Sequence, residues 1–452
     1  MTRIQVPWIR RMSLSLVLVT ALAAASPAAD TPAASPTPSP TPSPTPSPEP
    51  TPEAIPAPGP EVNGIYTDSS TKDLGDVTGS NKLKGIKFRG WVESYYVWNR
   101  NDVSASIANA NQSLSAIKSR DLTIEGRAFD VHQNSFSLSL AELEIERVPG
   151  PGEVGFKVDL AAGDVQDVIV DTIKATSPDG VSQFDKIFQH ASISYVAPVG
   201  SGLRFDLGKF VTHIGGETIE SIKNRNFSHT FFYTYAIPFQ DSGLRINYAF
   251  NPKIYGEVYV LNGWNVTSDN NKGKTFGFSL GWTPNPKLSV YANYLGGPER
   301  NDDDADWRHL GDLQVILTPS SKVQIMANVD IGRDKNAVSV AVPGGQVTRF
   351  ADATWKGYTV FVRGNVNGRF MPTGRIEYYN DSDGFTTGVA QKLWGFTFTG
   401  DVKLFKAGGF SNVLVRPEVR YDKSDAPFFS KKDSFRSEKS QLTVGVGVVA
   451  YF

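Results

Sequence analysis

From Ile86 to the C-terminus, apolar and polar residues alternate in short segments, and this two-residue rhythm limits most strongly what the chain can fold into. One face of residues 275–282 carries Phe276, Phe278, Leu280 and Trp282, whereas the other carries Thr275, Gly277, Ser279 and Gly281. Residues 323–331 alternate in the same way. Since successive side chains of a strand point to opposite faces, the sequence predicts an all-β protein whose strands have one apolar and one polar face.

The connections between these segments alternate between short and long. Seven short turns carry Gly, Pro or Asn, at Pro149–Gly152, Pro198–Gly202, Asn251–Lys253, Pro284–Pro286, Pro319–Ser321, Asn367–Gly368 and Ala407–Gly409. Eight long polar loops separate them, at roughly 99–133, 162–186, 211–242, 263–274, 296–308, 332–355, 380–391 and 422–439. This pattern predicts about sixteen strands, with short periplasmic turns and long outer loops.

The strand count favours a membrane barrel over a soluble sheet. Open twisted sheets rarely exceed about 10 strands, whereas a closed barrel has no exposed edge. Within lipid every backbone polar group must be paired internally, and closure achieves this for strands. With 20% charged residues and 41 glycines, the chain is too polar for a helical membrane protein. We therefore expect a transmembrane, antiparallel, up-and-down β-barrel around a water-filled interior, spanning residues 85–452.

The residues before the barrel form three segments. Residues 1–25 combine a basic start with a short apolar core and Ala23-Ala24-Ala25, which is typical of a cleaved signal peptide. Residues 26–60 form a linker rich in Pro, Ser and Thr, and residues 61–84 a polar periplasmic segment. These features predict that the protein is located in the outer membrane of a Gram-negative bacterium, where lipid and lipopolysaccharide surround it. One hypothesis is that the periplasmic linker holds the barrel against the cell wall; a simple spacer is the alternative.

The last strand carries a local signal. Its apolar face consists of Leu442, Val444, Val446, Val448, Ala450 and Phe452. An aromatic C-terminal residue after such alternation resembles the signature by which outer-membrane barrels are recognised by their assembly machinery. We therefore expect that machinery to be a partner of the chain and Phe452 to be its assembly signal.

Charged residues on the polar faces are candidates for lining a pore, since Arg or Lys facing lipid would cost roughly 2 to 4 kcal/mol each at mid-depth. The candidates on strands are Arg204, Asp206, Arg245, Arg363, Arg375, Arg416 and Arg420. The loop 211–242 adds Glu217, Glu220, Lys223 and Arg225. Folded inward, this loop would form a charged constriction with its aromatic section 231–235 against the inner wall; an ordinary outer loop is the alternative.

One strand breaks the alternation. Phe136, Leu138 and Leu140 share a face, but the apolar residues then shift to Ala141 and Leu143. A β-bulge inserts one residue and re-aims every later side chain. The sequence predicts a bulge near Leu140.

Other functional classes find little support. The formal charge of -1 argues against a nucleic-acid partner, and without cysteine no thiolate metal site can form. The five histidines have no zinc spacing and no G-x-S-x-G motif occurs, so we expect no catalytic residues, metal or cofactor. Two alternatives remain: a barrel with a filled lumen that binds partners through its loops, and a rim hydrolase using His213 or His229 with Glu217 and Ser228.

Several segments resemble a known family. They are Phe88–Tyr96, Phe136–Leu143, Gly208–Phe210 with Gly215–Glu217, and Phe239–Arg245. Their aromatic and glycine patterns are similar to those of the family of β-barrel porins with OmpL-like members, over roughly residues 85–452. The resemblance implies an outer-membrane porin, not an enzyme, that forms a channel for passive diffusion of small hydrophilic solutes or ions. It also implies a homotrimer.

Overall fold

A closed barrel of sixteen antiparallel strands forms the body of the protein. The computed structural model describes residues 71–102, 124–176, 180–341, 347–406, 412–431 and 438–452. The barrel strands are β2 (Lys87–Asn99), β3 (Phe136–Arg147), β4 (Val154–Ala162), β5 (Phe188–Ala197), β6 (Leu203–Val211), β7 (Gln240–Asn251), β8 (Ile254–Leu261), β9 (Thr275–Asn285), β10 (Leu288–Arg300), β11 (Asp303–Ser320), β12 (Val323–Ala341), β13 (Val347–Gly364), β14 (Phe370–Asp381), β15 (Gln391–Lys406), β16 (Asn412–Ser424) and β17 (Ser440–Tyr451). Each strand pairs with the next, and β17 pairs with β2, which confirms the predicted architecture.

A small structured segment precedes the barrel. It contains β1 (Lys72–Asp73), α1 (Leu74–Thr78) and a 3-10 turn (Asn81–Leu83). Strand β1 pairs with Lys87 and Phe88 at the start of β2. The carboxylate of Asp73 accepts the backbone N–H groups of Gly75 and Gly85, which closes the segment. The predicted signal peptide, the Pro-rich linker and the first part of the polar segment lie outside the described residues.

The alternation predicted from the sequence separates two environments. On β9, Phe276, Phe278 and Leu280 point outward and are exposed, whereas Thr275 and Ser279 point inward and are buried. Leaving such a side chain in water instead of an apolar phase costs roughly 1.5 to 3 kcal/mol. Large exposed apolar side chains occur on nearly every barrel strand, and the outer face that they form therefore belongs in lipid.

Two of the predicted outer loops are largely strand, which corrects the sequence analysis. Within predicted loop 296–308, β10 continues to Arg300 and β11 begins at Asp303; within predicted loop 332–355, β12 continues to Ala341 and β13 begins at Val347. Both faces of these extensions carry Asp, Asn, Lys and Arg, so the alternation that marks a lipid-facing strand disappears. Cross-strand ion pairs such as Arg308–Asp334 and Arg333–Asp352 accompany the backbone ladder there.

The predicted bulge is confirmed on β3. Glu93 lies opposite Leu140, whereas Ser94 lies opposite Leu138, so Ser139 is the extra residue. Phe136 and Leu138 are consequently exposed on the outer face. Beyond the bulge, Glu142 and Glu144 point into the barrel.

Three connecting segments fold into the barrel and pack together. They are residues 124–133, the helix α2 (Asp164–Thr176), and residues 212–239, which we call the inner loop. The inner loop contains a 3-10 turn (Ser221–Lys223) and the helix α3 (Phe231–Tyr235). The ring of Phe129 lies 4.9 Å from His229 and 5.4 Å from Phe239, which joins the first segment to the inner loop. Among the described residues, no helix is long and apolar enough to cross a membrane.

Candidate pore constriction

The inner loop leaves β6 and reaches the opposite wall of the barrel. The backbone N–H of Gly216 donates to Asn328 on β12 at 2.8 Å, that of Phe231 to Glu377 on β14 at 2.6 Å, and that of Phe227 to Glu418 on β16 at 2.9 Å. In a ring of sixteen strands, β14 lies half-way round from β6. The inner loop therefore crosses the lumen, and predicted loop 211–242 lies inside the barrel.

Local hydrogen bonds give the inner loop its own structure. The Thr230 hydroxyl caps α3 by accepting the N–H of Tyr233 at 3.1 Å. The backbone N–H of Thr230 donates to the Glu217 carboxylate at 3.0 Å, which ties the two ends of the loop's central part together. The Asn224 side chain both accepts from the N–H of Thr218 and donates to its carbonyl. These contacts favour one fixed conformation over a mobile strap.

Four predicted pore arginines anchor the inner loop to the far wall, by which we mean strands β12 to β16. Arg416 pairs with Asp401 at 2.8 Å and donates to the carbonyl of Asn224 at 2.9 Å. Arg363 pairs with the same Asp401 at 2.9 Å and donates to the carbonyl of Arg225 at 3.1 Å.

The other two anchoring arginines are Arg375 and Arg420. Arg375 pairs with Glu217 at 3.4 Å, and Arg420, which pairs with Asp422 on its own strand at 2.7 Å, donates to the Ser228 hydroxyl of the inner loop at 3.2 Å. All four arginines are buried. They point inward, and they are covered by the loop they hold.

A glycine makes room for this contact on the last strand. The ring of Phe227 sits over Gly447 of β17, where a Cβ atom would lie 2.4 Å from the ring carbons. Any larger residue at position 447 would push the inner loop away from the wall. This position is thus a packing requirement of the constriction that no sequence motif reveals.

The near wall, which consists of strands β3 to β7, carries a different kind of ion pair. Arg204 and Arg245 both pair with Asp206, at 2.8 Å and 2.9 Å, on neighbouring strands β6 and β7. The two guanidinium groups are half-buried, whereas Asp206 is buried behind them. These three predicted residues are therefore brought together, away from the arginines of the far wall.

Lys223 and Glu220 meet the near wall at β3. The Lys223 ammonium lies 2.6 Å from Glu144 and 3.4 Å from Glu220. Burial alone would lower the pKa of Lys223, but the carboxylates of Glu144 and Glu220 outweigh it and hold the pKa above its usual value. Lys223 thus stays charged at physiological pH.

Three carboxylates at this place could in principle hold a cation, since Glu142, Glu144 and Glu220 each place an oxygen within 4.8 Å of the others. The ammonium of Lys223 already lies among them, and Lys157 lies 3.9 Å from Glu144. Protein cations therefore supply the compensating charge, and the cluster is an ion-pair network.

Glu217 and Arg225 complete the predicted constriction residues. Glu217 does not face open water, because it is buried against Arg375 and Thr230; burial raises its pKa although Arg375 opposes the shift. Arg225 donates from Nε to Gln324 of β12 at 2.9 Å, and burial lowers its pKa to about 10. Lys223 and Arg225 therefore point to opposite walls from adjacent parts of one loop.

Residues 124–133 fold inward, which corrects the expectation of an outer loop over 99–133. Arg127 pairs with Asp422 at 2.9 Å, and the backbone N–H of Ser430 donates to Glu125 at 3.2 Å. Neither Glu125 nor Arg127 was a predicted site residue, because nothing in a polar loop marks which of its charges find buried partners. Asp401 was also missed, although its alternation with Thr397 and Thr399 on β15 places it on the inner face.

Glu125 gives a pH-dependent prediction. Burial raises its pKa to about 7 from 4.5, although Ser430 donates to it. The folded loop then holds the proton more tightly than the unfolded loop, so docking is most stable below about pH 4.5 and weakens as the pH rises towards 7. Hydrogen exchange at residues 124–131, corrected for intrinsic rates, should show weaker protection at pH 8 than at pH 5. Glu125→Gln should reduce the difference, and the remainder comes from Asp130, whose pKa burial raises to about 6; stronger protection at pH 8 would contradict the assignment.

The histidines do not assemble the alternative hydrolase site. His213 stacks on Tyr259 at 4.0 Å, and His229 contacts the carbonyl of Thr218 at 2.7 Å. Burial lowers the pKa of each to about 4. The Ser228 hydroxyl instead accepts from Arg375 and Arg420. Within the described part of the chain, no serine–histidine–carboxylate arrangement forms from these residues.

The C-terminal residue closes the barrel seam. The backbone N–H of Phe452 donates to Gly90 at 3.0 Å and its carbonyl accepts from Gly90 at 3.2 Å. Its ring lies 6.3 Å from Phe88. Phe452 therefore lies beside the first barrel strand, next to the pairing of β1 with β2.

Comparison with known families agrees with this architecture. Residues 85–452 match the family described as "Putative beta-barrel porin-2, OmpL-like". The chain belongs to this family. The matched residues cover the whole barrel of this porin and exclude the Pro-rich segment, as the sequence resemblance indicated. A comparison with curated proteins gives no match.

Solved structures of outer-membrane channels are similar to this porin at low sequence identity. The anion-selective porin from Comamonas acidovorans has a TM-score of 0.50 at 11% identity, covering 81% of this chain and 99% of that chain. The outer membrane channel DcaP of Acinetobacter baumannii has a TM-score of 0.47 at 10% identity, covering 81% and 96%. OmpF of Salmonella typhi, in complex with daunomycin, has a TM-score of 0.47 at 11% identity, covering 81% and 97%.

Proposed function

We propose that this porin forms a water-filled channel in the outer membrane through which small hydrophilic solutes or ions diffuse passively. The observation that carries the proposal is the inner loop, which crosses the lumen while charged side chains of the near wall keep contact with water. Arg204, Arg245 and Lys157 are half-buried cations of that wall. A lumen that is narrowed but hydrated sets an upper size for solutes.

The packed inner segments also bear on the alternative of a barrel with a filled lumen. In a fully closed interior, the cations of the near wall would be excluded from water, and burial of charged groups is costly. These cations are instead half-buried and reach water. Family membership and the hydrated wall together favour a channel. No part of the proposed function requires a catalytic group.

Liposome swelling tests the proposal. Vesicles containing the purified full-length protein should swell in isotonic solutions of small sugars, at rates that fall steeply as the sugar becomes larger. Vesicles without protein provide the background. Swelling at the background rate for every sugar, with protein that migrates as a folded barrel before heating, would refute the channel.

The surroundings of the barrel follow from the same proposal. We propose a Gram-negative host, lipid and lipopolysaccharide around the apolar outer face, and a periplasmic position for the Pro-rich linker, with the cell wall as its partner. We further propose a homotrimer as the assembled form. The linker is tested by cell-wall co-sedimentation of a protein that lacks residues 26–60, and unchanged co-sedimentation would contradict its role. The trimer is tested by cross-linking in native membranes, and it fails if only monomers are found.

The role of Phe452 in assembly gives a second prediction. Phe452→Ala removes the ring beside Phe88 and the aromatic end of the apolar face that we propose the assembly machinery reads. The amount of folded protein in the outer membrane should fall several-fold, measured by heat-modifiable migration in gels. Phe250→Ala, which removes an exposed outward ring at a periplasmic strand end, is the matched control. Equal yields of both variants would contradict the role.

A further inference from the structure

We infer that the permeants of this channel are small anions. The inference rests on the proposed channel function and names the class of solute that the channel prefers. It follows from the way the structure divides water access between positive and negative groups, and from one buried guanidinium in the inner loop.

The ion pairs of the near wall are asymmetric in their exposure. The Lys157 side chain is 24% exposed, whereas its partners Glu144 and Asp159 are 3% and 2% exposed. Arg204 and Arg245 are 18% and 20% exposed, whereas their shared partner Asp206 is 1% exposed. In each pair the cation faces water and the carboxylate lies behind it.

The inner loop continues this band of cations. Lys223 is 16% exposed, and its partners Glu144 and Glu220 are each 3% exposed. The four cations, which we call the cationic band, are Lys157, Arg204, Lys223 and Arg245. Water and solutes in the lumen therefore meet positive charge first. The low-dielectric wall behind these cations focuses their electric field into the lumen, which raises the local concentration of anions.

Strands β10 to β12, across the lumen, do not balance the charge of the cationic band. Among the described residues, the half-buried Tyr291 and Gln324 are uncharged, and the half-buried carboxylates of Asp164 and Asp171 lie on α2, beyond the end of β4. The carboxylates of Asp312 and Asp330 are buried, and the amide of Asn328 donates to both. The half-buried Glu146 lies at the periplasmic end of β3, opposite Lys157 and Lys87, so it faces cations as well.

Arg225 is an independent sign of an anion. Its Nη1 and Nη2 atoms have no hydrogen-bond partner among the described residues, and the residue is only 2% exposed. Its Nε contacts the neutral Gln324, and the carboxylate of Glu217 is committed to Thr230 and Arg375. Glu217 attracts the Arg225 guanidinium without bonding it, so both Nη atoms stay buried and without a hydrogen-bond partner among the described residues, which is costly. A small anion that accepts two N–H bonds removes that cost.

The cationic band and Arg225 suit permeation because they bind an anion with different strength. The cationic band is already paired with carboxylates, so it attracts anions without holding them tightly. Arg225 provides one closer contact inside the constriction. Conduction requires binding that is favourable enough to admit the ion and weak enough to release it. Chloride and short carboxylates share the chemistry that this arrangement would select.

Reversal potentials of the full-length porin in a planar bilayer under a KCl gradient test the inference. We expect chloride to permeate at least about threefold better than potassium, as a fixed positive band predicts. Equal permeation or a preference for potassium would overturn the inference and leave the channel standing. Absence of any conductance from folded protein would instead refute the proposed function.

Variants with opposite expected signs sharpen the test. Arg204→Gln combined with Arg245→Gln should bring the chloride-to-potassium ratio close to unity, because it removes two water-facing cations and uncovers Asp206. Asp206→Asn should raise the ratio, because both cations remain and their shared counter-charge is lost. Arg147→Gln, a cation of the periplasmic rim outside the band, should leave the ratio unchanged. Any variant moving in the other direction would overturn the inference.

Discussion

Replacing residues 217–235 of the inner loop with a short Gly-Ser linker is expected to raise the single-channel conductance of the porin several-fold. The removed residues include the contacts with Glu377 and Glu418 by which the loop is tied to the far wall. Without them the linker has no partner across the lumen. The interior of a sixteen-stranded barrel is wide enough for an aqueous channel, so its cross-section should then be set by the wall.

The matched control for this variant shortens the hairpin of β12 and β13 above the Asp334–Ala353 pair, which removes a similar length of chain without touching the lumen. That control should conduct like the unmodified porin. Heat-modifiable migration in gels establishes that both variants have folded. Unchanged conductance in the folded inner-loop variant would mean that the loop does not limit the pore.

Arg416→Met is expected to destabilise the porin strongly, by about 3 to 5 kcal/mol, as does removal of one partner from a buried ion pair. The Arg416 guanidinium is 0% exposed and bonds both oxygens of Asp401 and the carbonyl of Asn224. Methionine fills a similar volume but donates no hydrogen bond. Among the described residues, Asp401 would keep its contact with Arg363, and the loop carbonyl would lose the Arg416 donor.

Arg333→Met supplies the comparison, because Arg333 pairs with Asp352 on an outer hairpin with 61% of its side chain exposed. Exposed ion pairs contribute about 0 to 1 kcal/mol, so this variant should unfold almost like the unmodified protein. Urea unfolding in lipid vesicles, followed by tryptophan fluorescence, measures both. Similar midpoints for the two variants would contradict the anchoring role of Arg416.

The barrel was predictable because its physics is local. Alternation along β9 and the breaker residues of turns such as Asn251–Lys253 act within a few residues, and the lipid outside imposes the same pattern on every strand. The bulge at Ser139 was predictable for the same reason, as a shift in the phase of one strand. The turn at Ala407–Gly409 lies outside the described residues.

The hairpin extensions of β10 to β13 were missed because that rule stops at the membrane surface. Beyond it, both faces of a strand meet water, and a polar sequence such as Gly332–Asp334 can pair in a ladder as well as form a loop. Backbone hydrogen bonds do not require apolar alternation. Sequence periodicity therefore reports the lipid-facing part of a strand and not its full length.

The constriction was only half predictable for a related reason. The residue types of loop 211–242 indicated charges and an aromatic section, and the polar faces indicated Arg363, Arg375, Arg416 and Arg420. Which charge pairs with which depends on the opposite side of the barrel, as for Arg375 and Glu217, which are separated by 158 residues. Whether a cation faces water or a loop, the difference between Arg204 and Arg416, is likewise a tertiary property.

Single-channel recording of the unmodified full-length porin in a planar bilayer tests most directly whether its lumen is open to water. Discrete, ohmic current steps should appear on insertion and grow in proportion to the salt concentration. Folded protein that inserts into the bilayer without producing any step would contradict the account.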